Sequence, residues 1–150
     1  MENNNKYVQK CSVYHAILEL KRQQDQLGGC PTSCFSNLLS KLFKIDTIPL
    51  LLYTDDGLFQ VLGVKDNDSR KCDHFCTPFF RLEHVDTKNK CVILSLLRPL
   101  SLSGVPVDDF CDAERLERTN VRVKVDISCF CAVQCLDLNL LKKVVIEPKW

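Results

Sequence analysis

Residues 120–136, NVRVKVDISCFCAVQCL, contain the most regular strand pattern of the sequence. Apolar and polar residues alternate here: Val121, Val123, Val125 and Ile127 are apolar, and Arg122, Lys124, Asp126 and Ser128 are polar. A period of two predicts a β-strand with one buried and one solvent-facing side. If the register continues unbroken, Cys129 and Cys131 lie on the buried side, where cysteine behaves as a small hydrophobic residue. One extra residue at Ser128 would instead turn both sulfur atoms to the opposite side.

Two hairpins are predicted upstream of this strand. The first joins IPLLLYT to LFQVLGV through Asp55-Asp56-Gly57, because Asp-Gly supplies the positive φ of a tight turn. The second runs from Pro78 to Val85, through the polar loop DTKNK, into CVILSLL. After it, Pro99, Gly104 and Pro106 predict a long irregular connection.

The N-terminal part of the chain has helical rather than strand spacing. Val13, Ile17, Leu20 and Leu27 predict a helix from a Ser12 cap to the Gly28-Gly29 stop, after a polar segment, residues 1–10, that is expected to be flexible. A second, shorter helix with Ser33 as its cap is predicted from Phe35, Leu38, Leu39 and Leu42. The prediction is therefore a mainly β fold: a small antiparallel β-sandwich-like domain, residues 11–150, with one or two N-terminal helices.

Composition excludes several classes of protein. The chain has 150 residues, 45% of them hydrophobic, with 20 basic and 19 acidic side chains. A domain of this size can bury a core without disulfides, and its balanced charge indicates neither nucleic-acid binding nor a polybasic membrane contact. The polar start predicts no signal peptide, and no apolar run predicts membrane insertion. Ten cysteines are nevertheless present, and a cysteine content this high is typical of proteins in oxidising compartments. The start of the chain instead indicates synthesis in a reducing cytosol.

Spacing limits how the cysteines can pair locally. The pairs in CPTSC, Cys30 and Cys34, and in CDHFC, Cys72 and Cys76, do not close easily on themselves in helical form, because residues four apart on a helix are too far apart. Cys30 and Cys34 flank a predicted helix start, where the dipole favours the reactive thiolate. Cys91, at the start of an apolar strand, stays ambiguous. Four cysteines are expected to be exposed: Cys11 near the N-terminus, Cys72 and Cys76 in a polar loop, and Cys111 after the proline-rich connection.

Three classes of function compete for these cysteines. A structural zinc module could use Cys30, Cys34, Cys72 and Cys76, with His74 as a spare ligand. A thiol oxidoreductase would show C-x-x-C within a βαβ pattern, which is missing, and no other motif predicts a catalytic residue or a cofactor. The third class is a structural protein that is synthesised with reduced cysteines, assembles through its surface and is later oxidised. This class accounts for the balanced charge and for all ten cysteines.

Six segments of the chain resemble the CotY/CotZ/ExsY family of spore coat and exosporium proteins, and its CotZ-type members in particular. The resemblance runs from about Cys11 to Leu136, and the segments follow one another in the order of the family: CPTSCFSNLL, DTIPLLLYT, TPFFRLEHVD, CVILSLLRPL, LERTNVRVKVDI and SCFCAVQCL. The resemblance implies a structural protein, not an enzyme, that is made in the mother cell cytoplasm and deposited on the spore surface. It implies self-assembly into a disulfide-cross-linked two-dimensional lattice, with other coat or exosporium proteins, or appendage subunits, as further partners.

The same resemblance assigns cross-linking or structural roles to individual cysteines. They are Cys30 and Cys34 of CPTSC, and Cys129, Cys131 and Cys135 of the C-terminal motif; the pairing is not implied. Relatives often carry a cysteine where this chain has Arg122, and some carry His-rich tails that are missing here. Cys72 and Cys76 are less typical and could serve a contact specific to this member. The cross-linking candidates are thus all the cysteines except Cys91: Cys11, Cys30, Cys34, Cys72, Cys76, Cys111, Cys129, Cys131 and Cys135.

Overall fold

The computed structural model of the chain describes residues 2–29, 47–65, 73–136 and 145–148. These ranges contain one α-helix, nine β-strands and two short 3-10 helices. In chain order they are α1 (Glu2–Gly29), β1 (Leu50–Thr54), β2 (Gly57–Leu58), β3 (Val61–Lys65), β4 (Asp73–Thr77), β5 (Phe80–Asp86), β6 (Cys91–Leu100), η1 (Phe110–Asp112), β7 (Arg115–Asp126), η2 (Ile127–Cys129), β8 (Ala132–Cys135) and β9 (Val145–Pro148).

The strands of the described ranges form two sheets. The larger sheet has the order β2-β1-β5-β6-β7-β9, with β8 also paired to β1, and the smaller sheet consists of β3 and β4. All these pairs are antiparallel except β7 with β9, which is parallel. The smaller sheet packs against β6 and β7 of the larger one. The predicted mainly β domain with an N-terminal helix is therefore confirmed.

The first hairpin is much shorter than predicted. Gly57 has the expected positive φ of 116°, and Tyr53 pairs with Leu58, but β2 ends there. The physical reason is Phe59, whose ring packs into the core with centroids 5.6 Å from Phe80 and 5.1 Å from Phe130. Phe59 N still donates to Leu52 O at 2.8 Å, so the chain leaves the ladder only after Phe59, and Val61–Lys65 of LFQVLGV form β3 of the smaller sheet.

The smaller sheet fits closely against the larger one at a glycine. A Cβ atom on Gly63 would lie 2.8 Å from Leu96 Cδ2 and 2.8 Å from Phe75 Cζ, so only glycine allows this approach. A partly buried ion pair holds the other strand, because Arg98 of β6 donates to both carboxylate oxygens of Asp73 at 2.6 and 3.0 Å. The Arg98 guanidinium also lies 5.2 Å from the centroid of the Phe75 ring.

The second hairpin, β5 with β6, is confirmed, but β6 continues past the predicted break at Pro99. Pro99 lies opposite Leu116 of β7, and its carbonyl oxygen accepts from Val107 N at 3.4 Å, on the side away from β7. The N and C=O of one strand residue point to the same side. Strand β7 therefore does not need the backbone N–H that Pro99 lacks. The irregular connection begins only at Ser101.

Helix α1 spans Glu2–Gly29, so the predicted start at a Ser12 cap is wrong, whereas the predicted stop at Gly28-Gly29 borders residues that are not described and stays a prediction. The division of the chain into a flexible segment 1–10 and a domain 11–150 stays a prediction. The predicted second helix lies outside the described residues. Val13, Ile17 and Leu20 of α1 are buried in the main core, together with apolar residues of β1, β5, β6 and β8.

A buried glutamine joins α1 to the sheet. Gln24 is 3% exposed; its Nε2 donates to the carbonyl of Leu82 at 2.7 Å, and its Oε1 accepts from Ile48 N at 3.3 Å. The leucine variant Gln24→Leu leaves both backbone groups without this partner, so we expect the free energy of unfolding to fall by about 2 kcal/mol. Urea denaturation measures the loss. Gln23→Leu, on the exposed side of the same helix, is the matched control, and an equal loss in both variants would contradict this role.

Candidate functional site

The chain turns sharply after β7, and this turn decides where the C-terminal cysteines lie. Oδ1 of Asp126 accepts from Ser128 N at 2.9 Å and from Ser128 Oγ at 2.8 Å, while Ile127 N donates to the Lys90 carbonyl at 3.0 Å. Ile127 is buried, and Phe130, two residues beyond Ser128, is buried as well. The hydrogen bond from Ser128 N, together with that from its hydroxyl, holds the pKa of Asp126 below its ordinary value.

Cys129 and Cys131, on either side of the buried Phe130, are both exposed. The expectation that they continue the strand in unbroken register and lie in the core is therefore wrong. The 3-10 turn η2 breaks the register at Ser128, as the alternative prediction required. The sequence signal for this break is Asp126 followed by Ser128, a pair that caps a turn.

Cys131 directly precedes β8, and Cys135 is its last residue. Strand β8 runs antiparallel to β1, with Cys135 opposite Leu50 and Ala132 opposite Tyr53. Cys131 N donates to the Tyr53 carbonyl at 2.9 Å, and its Sγ lies 3.4 Å from the same oxygen. Cys135 is exposed, yet partial burial raises the pKa of its thiol. The segment thus presents two thiols four residues apart.

Cys76 lies in strand β4, which corrects the prediction that CDHFC is a polar loop. Phe75 is buried and its neighbours His74 and Cys76 are exposed, which is the alternation of a strand with one face on the core. Cys76 is opposite Leu62 of β3, an exposed apolar residue that the sequence analysis did not single out. Its Sγ lies 3.6 Å from Gln60 Oε1.

The remaining cysteines divide into described and undescribed residues. Cys91 begins β6 and is half-buried, with its Sγ 3.5 Å from the Asn89 carbonyl oxygen. Cys11 lies within α1, but its side chain is not among those described. Cys30, Cys34 and Cys72 lie outside the described residues, so the CPTSC pair and three of the four proposed zinc ligands remain predictions. In the part of the chain that is described, no group of three or more His, Cys, Asp or Glu side chains could hold a metal ion.

Cys111 is exposed in η1, between two acidic residues. The charge of Asp109, with smaller effects from burial, a hydrogen bond to Asp109 and the charge of Asp112, raises the pKa of the Cys111 thiol. The thiolate is the nucleophile, so Cys111 should react more slowly than an unperturbed exposed thiol near neutral pH.

Replacing Asp109 by asparagine should speed the alkylation of Cys111. The amide removes the negative charge that disfavours the thiolate, while its oxygen can still accept the hydrogen bond from Cys111 N, now 3.0 Å long. Peptide mass spectrometry after timed iodoacetamide treatment at pH 8 measures the rate. Asp108→Asn, the neighbouring exposed carboxylate, is the control. An unchanged Cys111 rate in Asp109→Asn would contradict the electrostatic explanation.

Six described cysteines are free thiols on one mainly β domain, and five of them are exposed: Cys76, Cys111, Cys129, Cys131 and Cys135. They lie on β4, on η1, on η2, directly before β8 and at the end of β8, and no two of the six are joined to each other. Within the described residues, no helix is both long enough and apolar enough to span a bilayer. These features define a small β domain whose thiols are available for bonds to other molecules.

Comparison with known proteins places this domain in a family. The family model described as Spore coat protein Z matches residues 1–138, and the chain belongs to that family. It is 37% identical to Spore coat protein Z of Bacillus subtilis (strain 168) over 122 residues, which cover 76% of this chain and 80% of that protein. No solved structure matches the chain. The resemblance seen in the sequence is thereby confirmed.

Proposed function

We propose that this protein is a structural component of the outer spore surface, coat or exosporium, that assembles with copies of itself into a disulfide-cross-linked sheet. Its relative of 37% identity is named a spore coat protein, which supports the location. In this proposal it is made in the mother cell cytoplasm, has no catalytic role, and also contacts other coat or exosporium proteins or appendage subunits.

The observation that carries the proposal is that the five exposed thiols are spread over β4, η1 and the segment from η2 to β8. A disulfide forms only when the two Cα atoms lie within about 4.4–6.8 Å, so surface contacts must first place thiols of neighbouring molecules in register. Thiols on several sides of one molecule can bond to several neighbours, which extends a dimer into a network. The core already buries a large apolar cluster, so the fold does not depend on these bonds.

Oxidation of the purified protein tests the proposal. We expect large ordered assemblies in electron micrographs, and a ladder on non-reducing gels that collapses with dithiothreitol. A variant with serine at all five exposed described cysteines should keep the monomer fold and lose much of the ladder, whereas Cys91→Ser, at a half-buried thiol, should leave it unchanged. A protein that stays monomeric with either oxidant or reductant would contradict the proposal. Stoichiometric zinc in that monomer would favour a structural zinc module built on Cys30, Cys34, Cys72 and Cys76.

The CPTSC motif gives a second test. The double variant Cys30→Ser with Cys34→Ser should keep the monomer fold, because the core needs no disulfide, but its assemblies should be more sensitive to reductant and heat. Circular dichroism of the reduced monomer and gel analysis of the oxidised assembly measure the two properties. Loss of the monomer fold would make these cysteines internal structural bonds and would contradict a cross-linking role.

A further inference from the structure

Strand β6 joins two parts of the domain that carry opposite charge. At its first residue, Cys91, the turn after β5 and the end of β7 meet. At its last residue, Leu100, the connection of residues 101–114 begins. The strand has ten residues, so it is about 30 Å long at about 3.3 Å per residue, which is several times the Debye length of about 8 Å. The charges at one end are therefore largely screened from those at the other.

The end at Cys91, which we call the basic end, consists of residues 86–91 and 122–129. Two carboxylates lie there, and both cap turns: Asp86 accepts from the backbone of its own turn, and Asp126 accepts from Ser128 N. These hydrogen bonds order the surface on which the cations lie. Four exposed cations outnumber the two carboxylates: Lys88, Lys90, Arg122 and Lys124.

The connection of residues 101–114, which we call the acidic connection, contains no lysine or arginine. It is anchored to the sheet, because Val107 N donates to Pro99 O at 3.4 Å and the Phe110 ring meets the Phe79 ring edge-on, with centroids 6.2 Å apart. Its charge is thus held at a fixed place on the surface. Four carboxylates of the connection are exposed: Asp108, Asp109, Asp112 and Glu114.

Large apolar side chains of the acidic connection are exposed as well. Leu102 is 64% exposed and Val105 is 59% exposed. Apolar groups in water are covered favourably by a partner, and protein interfaces combine an apolar centre with a polar rim. The acidic connection therefore has both components of a contact surface.

We propose that the acidic connection of one copy docks against the basic end of a second copy, in a head-to-tail contact that brings Cys111 of the first copy next to Cys129 of the second. The inference rests on the proposed self-assembly and names its interface. A contact between two different surfaces of one chain leaves one surface free on each copy, so it continues into closed rings or open arrays. The formal net charge of +1 adds little repulsion between copies.

Cys111 and Cys129 are the exposed described thiols of these two surfaces. Cys129 lies two residues beyond Ile127, whose N–H donates to the Lys90 carbonyl at 3.0 Å. The charge of Asp109, above all, raises the pKa of the Cys111 thiol, which slows its reaction in the free monomer. Lysine side chains of a docked copy offset that charge, so disulfide formation is favoured where two copies meet.

The bond between Cys111 and Cys129 requires the removal of two electrons, which a small-molecule disulfide accepts. The Cys129 thiolate attacks that disulfide, forms a mixed disulfide and releases one small thiolate. The Cys111 thiolate of the docked copy then attacks the Cys129 sulfur and releases the second small thiolate. For each protein bond formed, two protein thiols are oxidised, one small disulfide is reduced to two small thiols, and the two protons pass to those products.

The salt dependence of association tests the contact in the wild-type protein. Sedimentation equilibrium of the reduced protein measures the association constant between copies. This constant should fall at least about tenfold between about 20 mM and about 500 mM sodium chloride, because salt screens exposed charges. Association that does not weaken with salt would overturn the proposal.

Charge reversal tests which surfaces meet. Lys88→Glu with Lys124→Glu makes both surfaces acidic, and Asp108→Lys with Asp112→Lys and Glu114→Lys makes both basic. All five side chains are exposed, so circular dichroism of each reduced variant should match that of the wild type. Neither variant should associate alone, whereas an equimolar mixture should associate as the wild type does. Association of either variant alone would mean that these surfaces face other partners, and it would overturn the proposal, as would a mixture that stays monomeric.

The cross-link is tested on oxidised wild-type protein that mixes 15N-labelled and unlabelled chains. Fragmentation mass spectrometry of the non-reduced digest should find Cys111 of one isotope bonded to Cys129 of the other. This bond should be missing from Cys129→Ser and retained in Cys131→Ser, the matched control. If the wild type forms reductant-sensitive assemblies without a 111–129 bond between copies, this interface is wrong and the proposed function stands. If no assemblies form at all, both fail.

Discussion

Replacing Phe80 by alanine is expected to lower the free energy of unfolding by about 3–5 kcal/mol. Phe80 is 0% exposed and begins β5, opposite Leu50 of β1 and Leu96 of β6. Its ring stacks on Phe59, the residue that ends the first hairpin. Removal of the ring leaves a cavity where β1, β5, β6 and the start of the smaller sheet meet, and the ladder of β5 with β6 limits how far this cavity can collapse.

Urea denaturation of Phe80→Ala measures this loss, with Phe110→Ala as the matched control. Phe110 is only half-buried in η1 and meets Phe79 edge-on, with centroids 6.2 Å apart. Its truncation should therefore cost about 1 kcal/mol, because it removes less buried area. Equal losses of stability in the two variants would show that the cavity left at Phe80 collapses freely. Hydrogen exchange should also speed up in β8, since β1 is its partner in the sheet.

The strands were predictable where local pattern and tertiary burial agree. The turn at Gly57, the hairpin of β5 with β6, and the alternation of Val121 to Val125 all follow from local sequence. The departures occur where one distant contact outweighs the local pattern. The first hairpin ends at Phe59, whose ring reaches Phe80, and a proline remains in β6 because its missing donor faces away from β7.

Contacts between distant residues also limit what the sequence could predict about the cysteines. The sequence allowed two predictions for Cys129 and Cys131, buried or turned outward, which differ by one residue of register at Ser128. Only the hydrogen bond from Ser128 N to the Asp126 side chain, which caps the turn, decides between them. Exposure of Cys76 was expected, but its place on a strand depends on Phe75 packing beneath Arg98, a residue 22 positions beyond Cys76. That β8 lies at an edge depends on β1, about 80 residues away in the chain, which no local pattern reports.

Glu83 is the centre of a charged cluster on the larger sheet, and its replacement has the second large expected effect. The register of β5 against β6 shifts between Leu82 and His84, so Glu83 occupies a β-bulge. Its carboxylate accepts from Ser95 Oγ at 2.6 Å and lies 2.7 Å from Arg81 Nη1. Arg118 Nη2 is 3.6 Å away and Arg122 Nη2 is 4.0 Å away.

Glu83→Gln should lower the free energy of unfolding by about 2–3 kcal/mol at pH 7. Breaking a fully buried pair costs about 3–5 kcal/mol, but the cost here is smaller, because Arg81 also donates to Thr47 Oγ1 and Arg122 is largely in solvent. Denaturation in urea measures the loss. Glu114→Gln, at an exposed carboxylate with the same change of charge, is the control and should change stability by less than about 0.5 kcal/mol.

The stability lost in Glu83→Gln should itself depend on pH. Burial acts to raise the pKa of Glu83, but it is outweighed by hydrogen bonds from Ser95 and Arg81 and by the charges of Arg81 and Arg118, so the pKa is lowered. A carboxyl group with a lowered pKa in the folded state stabilises the fold above its ordinary pKa of about 4.3, and this contribution is lost as the pH falls through the folded-state value. Wild-type protein should therefore lose stability on acidification below about pH 5 more steeply than Glu83→Gln.

The variant should retain part of the acid dependence, because the pKa values of Asp86 and Asp126 are also lowered, mainly by backbone hydrogen bonds from Asn89 and Ser128. The informative quantity is thus the difference in free energy of unfolding between wild type and Glu83→Gln, measured from pH 7 to pH 3. This difference should shrink toward acid, because protonated Glu83 loses its attraction to the arginines. A constant difference would mean that Glu83 contributes through packing and neutral hydrogen bonds, and that its charge does not hold β5 and β7 together.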